Sequence, residues 1–444
     1  MKFNFKLILI LIIFTLSAMT YAQLNPNDSL TVDNAVHLVL NNNPAIQNAL
    51  HSINASVARV SETKSSLYPE AGISLSYLRL GPVASISFPG FGNFDLFPAD
   101  NFDEHVGVSA TVYDFDKREK NINLAQSQVQ GFKDKLELVK QELAYRTIQT
   151  FYTILFLERS LKVQNDAINT LNEHLDITKK KVSAGTATNF DVLTTNVRVS
   201  SAEEGKINLK NSLANAEISL KQLLGLPANS RIALKGDFSE YRTDYNIDSL
   251  INIAMQNRYD IKSVEDQIIS EHAKDNVVSA MYNPTIKIAA NYGLKNGYVP
   301  DLTAWHGNYM AAIQMDIPLS GVIPYFGGHL EESLHQETSA NINAAESYKS
   351  DVIQKVKAEV QKSVVDLQSS LERYKTTDVN VHQAESALSL AKIRYEAGTG
   401  TNLDLLDAET MLAQAKLMRL QALYKYVIGR YELLQSIGEK VWLQ

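Results

Sequence analysis

VSAGTATNFDVL (residues 182–193) returns as YEAGTGTNLDLL at residues 395–406, 213 positions further along the chain. The echo spreads outward from that motif. TVDNAVHLVLNNNPAIQNA from Thr31 is answered by NIDSLINIAMQNRYDIKSV from Asn246, and SSLYPEAGISLSY from Ser65 by SAMYNPTIKIAANY from Ser279. Three segments in one order and at nearly one offset mark a tandem duplication of about two hundred residues, and such a repeat sets the symmetry of the fold.

Each copy of the motif reads as a tight reversal between two helices. Gly185 and Gly398 stand where a helix ends on a left-handed residue. Thr188 and Asp191, like Thr401 and Asp404, have the T-x-x-D spacing of a capping box, which makes both aspartates helix caps. Asp407 lies one turn beyond Asp404 on the same face, where no cap needs it. Its counterpart in the first copy is the neutral Thr194. Two like charges one turn apart are unfavourable unless something binds or faces them.

The helices leading into the motif are long, about 116–181 and 328–397. In the second, Ile353, Val356, Val360, Ser363, Leu367, Ser370, Tyr374, Thr377, Val381, Ala384, Leu388, Ala391 and Tyr395 keep strict 3-4 spacing. Ile122, Ala125, Val129, Phe132, Leu136, Val139 and Leu143 do the same in the first. A sustained 3.5-residue period predicts coiled-coil packing. Shorter helices leave the motif, about 190–224 and 402–437, the first ended by Gly225 and Pro227. The second carries one stripe through Leu406, Ala413, Leu417 and Leu420 and another through Met411, Ala415, Met418 and Ala422, so two neighbours are expected. Upstream, helical stretches at 30–67 and 248–281 end near Pro69 and Pro284, and Asn42-Asn43-Pro44 should break the first in two.

Between these helices lie strand pairs, expected at 72–88 with 103–114 and at 285–298 with 306–318. Ile286, Ile288, Ala290, Tyr292 and Leu294 alternate with Lys287, Ala289, Asn291, Gly293 and Lys295. Period-2 alternation fits a membrane-barrel strand and a half-buried strand of a soluble sheet equally. Aromatic residues near the turns (Phe88, Phe91, Phe94, Phe97 and Phe102 in one copy, Tyr298 and Trp305 in the other) favour the membrane girdle. Four strands cannot close a barrel, and open edges are costly in lipid, so the chain should oligomerise. A helix of about 66 residues is roughly 100 Å long, and the two shorter helical pieces of each repeat would match it end to end.

Lys2 and Lys6, an apolar run from Leu7 to Leu16 and the small residues ending at Ala22 read as a signal peptide over 1–22. The repeats then occupy 23–236 and 237–444. With the two lysines removed, 40 of the 42 basic residues face 49 acidic ones, which gives no footprint for nucleic acid. The chain has no cysteine, and its nine histidines form no metal-binding or nucleophile–base motif. No enzymatic activity, cofactor or metal is expected.

The two-fold repeat, the paired strands, the long heptad helices and YEAGTGTNLDLLDAET from Tyr395 onward together resemble the TolC family of outer-membrane efflux factors across nearly all of the mature chain. The resemblance implies a mainly α fold in which two long helical hairpins per subunit build a periplasmic α-barrel. It also implies a homotrimer whose four strands per subunit complete a 12-stranded outer-membrane β-barrel. The implied partners are a periplasmic adaptor and an inner-membrane pump, with outer-membrane lipid around the barrel. The alternative is the outer-membrane part of a type I secretion system; a periplasmic adaptor or coiled-coil scaffold fits the alternation of hairpins and strand pairs less well. The family's constricted periplasmic entrance carries an aspartate pair that falls on Asp404 and Asp407, a tyrosine that falls on Tyr395 and an aspartate that falls on Asp191. Adaptor docking would fall on the tips, at Gly185, Thr186, Thr188, Gly398, Thr399 and Thr401. Gly400 stands where the family pattern has an arginine that links neighbouring hairpins.

Overall fold

The computed structural model describes residues 29–440 apart from 91, 239–244, 322 and 324. The predicted signal peptide at 1–22 and Phe91 lie outside the described residues. The first repeat runs α1 (Val32–Asn42), α2 (Pro44–Ser65), β1 (Glu70–Arg79), β2 (Ser85–Phe88), β3 (Gly92–Asp95), β4 (Asp100–Tyr113), α3 (Lys117–Ser183) and α4 (Asn189–Leu224). The second runs α5 (Ile247–Asn257), α6 (Tyr259–Ser279), β5 (Thr285–Lys295), β6 (His306–Asp316), α7 (Leu330–Glu396) and α8 (Asn402–Ser436).

Two elements differ from the sequence expectation. The strand expected at 72–88 ends at Arg79, and the chain then forms a separate small hairpin, β2 with β3. Gly81-Pro82 accounts for the break, because proline cannot donate to the ladder. The helical stretch at 248–281 is also broken, at Arg258, where no proline intervenes. Arg258 takes extended backbone angles while its guanidinium reaches Asp260, the Ser436 carbonyl and Glu359. Tertiary contacts thus reproduce at Arg258 the kink that Asn43-Pro44 makes in the first repeat.

Each long helix has 67 residues and therefore spans about 100 Å. α2 and α4 pack end to end along α3, while α6 and α8 do so along α7. The two repeats meet where α3 lies against α6 and α8. The core is in the middle of the rods. One cluster gathers Ile148, Phe151, Leu220, Leu224 and Val36, and the other Val356, Val360, Val364 and Ile261. Val356, Val360, Ser363, Leu367, Val381 and Tyr395 of the expected heptads are buried, as are Ile122, Ala125, Leu136 and Leu143, whereas Phe132 is exposed.

Other heptad positions face no neighbour. Phe190, Leu193, Val197, Ile207 and Ile218 line an exposed seam of α4, and Val365, Val379, Leu390 and Ile393 one of α7. Met411 and Met418 leave the second stripe of α8 partly exposed, although Ala415 and Ala422 are covered.

The four long strands form one antiparallel sheet in the order β1-β4-β5-β6. Cross-strand partners keep one register of faces: Ile73 sits opposite Val106, Val106 opposite Tyr292, and Tyr292 opposite Tyr309. That face is apolar and uncovered, with Ile73 at 75%, Tyr309 at 83% and Ile313 at 81% exposure. The opposite face carries Ser74, His105, Asn291 and Lys287. A soluble sheet would bury its apolar face against helices, yet no described helix packs there. Among the described residues, no helix is long and apolar enough to cross a membrane. The sheet has the patterning of a lipid-facing wall. Phe102 stacks between Tyr77 and Trp305 at one end of that wall, where an aromatic girdle was expected.

A candidate gate and docking site at the helix tips

Both motif copies form the predicted reversals. Gly185 and Gly398 take φ of 75° and 74°, the left-handed region that a helix stop requires. Thr188 and Asp191 form a reciprocal capping box on α4, and Thr401 and Asp404 one on α8. The Asp404 carboxylate accepts from the Thr401 amide, which, with the Thr401 hydroxyl and the charge of Arg394, holds it below the usual carboxylate range. Gly185, Thr186, Thr188, Gly398, Thr399 and Thr401 are all exposed at the extreme end of the rods.

Gly400 donates its amide to the Arg394 carbonyl in a tight turn. A Cβ on Gly400 would lie 3.1 Å from Arg394 Cβ and from the Tyr395 amide, so this turn favours glycine. The cation acting on Asp404 is Arg394, at the end of α7 on the other side of the reversal.

Asp407 has a partner that the sequence did not disclose. Arg198 Nη2 donates to Asp407 Oδ1 at 2.8 Å, linking α4 to α8 with both side chains partly exposed. The unexplained second charge is therefore faced by a cation from the other hairpin. Tyr395 is 8% exposed and packs between the hairpins. Its ring lies 5.4 Å from that of His174, Lys181 Nζ sits 3.6 Å above it, and the same ammonium donates to the Tyr395 carbonyl.

Behind Tyr395 of α7 lies a buried polar cluster that joins the other three helices of the tip, α3, α4 and α8. His174 of α3 bonds to Asn402 Oδ1 at 2.8 Å and to Glu409 Oε1 at 3.2 Å, both on α8. Asn402 Nδ2 in turn donates to the Asp191 carbonyl and to Thr195 Oγ1 of α4. Thr178 and Thr195 are fully buried beside them.

The sequence matches the outer membrane efflux protein family over residues 35–226 and 250–439, one match per repeat and together most of the chain. The chain belongs to that family. It is 21% identical to the outer membrane protein TolC of Salmonella enteritidis over 411 residues, covering 89% of this chain and 79% of that one. It is 22% identical to TolC of Vibrio cholerae, covering 89% and 88%. In fold it is similar to the Campylobacter jejuni CmeC outer membrane channel, with a TM-score of 0.78 at 15% identity over 92% of this chain and 85% of the other. The outer membrane protein VceC of Vibrio cholerae gives 0.76 at 16% identity over 92% and 96%.

For an outer membrane efflux protein the two ends of the molecule acquire directions. The sheet with its bare apolar face lies in the outer membrane, and the helices carry the chain away from it, ending at the tips. This is a duct for efflux or secretion, in a family of channels. Among the residues that matter at the tip, His174, Lys181, Thr195, Arg198, Asn402 and Glu409 were not singled out from sequence. One signal was present: Leu171, His174 and Thr178 follow the spacing of a buried helix face, so the histidine points inward with them.

Proposed function

We propose that three copies of this chain assemble into the exit duct of a tripartite efflux system. Twelve strands, four from each subunit, close a barrel in the outer membrane, and the helices form a tunnel across the periplasm. One observation carries this reading: a sheet with an uncovered apolar face also has two open edges, β1 and β6. Unpaired edge groups in lipid cost several kcal/mol each, and pairing β6 with β1 of the next subunit removes them all. The exposed seams of α4 and α7 support the same closure, because heptad positions left bare in one subunit are available to the next.

The tips gate the duct and dock an adaptor. Asp404 and Asp407 of three subunits form an acidic ring that favours cations, with Asp191 and Tyr395 on the flanks of the gate. Arg198 offsets part of the charge on Asp407, so Asp404 carries more of the cation preference. Gly185, Thr186, Thr188, Gly398, Thr399 and Thr401 form the docking surface for a periplasmic adaptor that delivers substrate from an inner-membrane pump.

The test is conductance in a planar bilayer. The purified protein should insert as a trimer with cation-preferring channels, and Asp404→Ala with Asp407→Ala should raise conductance and weaken that preference. Unchanged selectivity in the double variant sinks the acidic ring. Photo-crosslinkers at Thr186 and Thr399 should capture a protein containing a periplasmic helical hairpin; capture only of unrelated proteins rules out docking at the tips.

A further inference from the structure

We propose that His174, Asn402 and Glu409 form a proton-sensitive latch holding the second hairpin against the first just behind the tip, so that rising pH loosens the gate. The proposal rests on the reading of the tips as a gate and assigns a regulator to it.

The argument starts from donors and acceptors. His174 is 3% exposed and placed between two oxygen atoms, Asn402 Oδ1 on one ring nitrogen and Glu409 Oε1 on the other. The Asn402 amide cannot turn round, because its nitrogen faces the Asp191 carbonyl, which accepts only. Thr178 also approaches Asn402 Oδ1 as a donor. Both partners of the imidazole are therefore acceptors. A neutral imidazole has one N–H and satisfies one of them; the imidazolium has two and satisfies both. Glu409 sharpens the dependence. Its second oxygen, Oε2, is buried without a hydrogen-bond partner, so among the described residues the imidazolium is the one cation paired with this buried carboxylate. Loss of the proton leaves that carboxylate uncompensated, and outward movement of α8 into water relieves it.

The other charged groups around the latch are engaged elsewhere. On α3, Lys181 lies over Tyr395 of α7 and opposes the charge on His174. On α4, the Asp191 carboxylate caps Thr188 and Arg198 holds Asp407. On α8, Asp404 caps Thr401. Burial pulls the imidazole down, but Glu409 and Asn402 outweigh it and raise His174 above its ordinary 6.5. The sign follows from that direction: the latch is complete below 6.5 and is lost as pH rises through the higher folded value. The device occurs once per subunit. At the repeat-equivalent positions stand Ala387, Asn189 and Asn196, and Asn189 is exposed. Duplication built the two hairpins, and these later differences tie one to the other.

The chain has no cysteine, so spin labels can be placed without background. Labels at exposed Lys180 of α3 and Lys392 of α7, in labelled chains diluted with unlabelled chain, read the hairpin separation within one subunit by pulsed EPR. Between about pH 6 and about pH 9, the distance distribution should broaden with a midpoint above 6.5. His174→Gln should abolish the pH dependence, and Glu409→Gln should move the midpoint to lower pH. Distances that do not change with pH, or that change equally in His174→Gln, overturn the latch. Single-channel conductance of the same samples separates the two readings. Conductance that follows the distances supports the latch as a gate regulator, while moving distances under constant conductance overturn the gate reading on which it rests.

Discussion

Arg198 of the first hairpin and Asp407 of the second are joined at 2.8 Å, so the charge that distinguishes the second motif copy from the first is held by the first hairpin. Both side chains are about two-fifths exposed, at 40% and 44%. An exposed pair of this kind contributes less than about 1 kcal/mol. Arg198→Ala should therefore leave the melting temperature nearly unchanged while strengthening the cation preference, because Asp407 loses its counter-charge. Reversal potentials in asymmetric salt measure this; an unchanged or weakened preference would show that Asp407 does not face the pore.

Phe151 is completely buried where α1, α3, α4 and α8 converge on the first core cluster. Phe151→Ala removes most of a large side chain from a site with little room to collapse, at a cost of about 3–5 kcal/mol. Chemical denaturation of the detergent-solubilised protein, followed by circular dichroism, should register the loss. A change below about 1 kcal/mol would mean that this cluster is not a main support of the rods.

Val197 and Ile207 sit on the bare seam of α4, at 67% and 64% exposure. Both side chains are mostly exposed within the subunit, so helix content should persist in Val197→Asp with Ile207→Asp. If the seam is a subunit interface, buried unpaired carboxylates should dissociate the oligomer. Light scattering in detergent reads the mass directly, and an oligomer of unchanged mass in the double variant would rule this seam out.

Neighbouring residues of β6 provide an internal comparison. Ile313 lies on the uncovered apolar face and Gln314 on the polar one. A lysine facing lipid near the bilayer midplane costs about 2–4 kcal/mol, while the lumen accepts it. Ile313→Lys should reduce recovery in the outer-membrane fraction and Gln314→Lys should not. Equal recovery of the two variants contradicts the assignment of faces.

Much of this architecture was legible because periodicity is a local property. The strict 3-4 spacing from Val356 to Tyr395 and the alternation through Ile286 and Ile288 each report a buried or apolar face without knowledge of the partner. The caps were equally readable, since Thr188 with Asp191 and Thr401 with Asp404 close their hydrogen bonds within four residues. The break at Arg258 was not, because its cause is Glu359 and the Ser436 carbonyl, far away in the chain. The partner of Asp407 was hidden for the same reason, lying 209 residues away at Arg198.

The sequence by itself determined the duplication, the order of helices and strands, the turns at Gly185 and Gly398 and the two aspartate caps. All of these follow from contacts within a turn or two of chain, or from the repeat itself. Only the tertiary structure decided that the apolar strand face stays bare, that Tyr395 is packed between the hairpins and that His174 lies between two acceptors on α8. Those outcomes depend on which helix faces are brought together across more than two hundred residues. A buried polar group acquires its protonation and its role from the atoms opposite it, and local spacing carries no record of them.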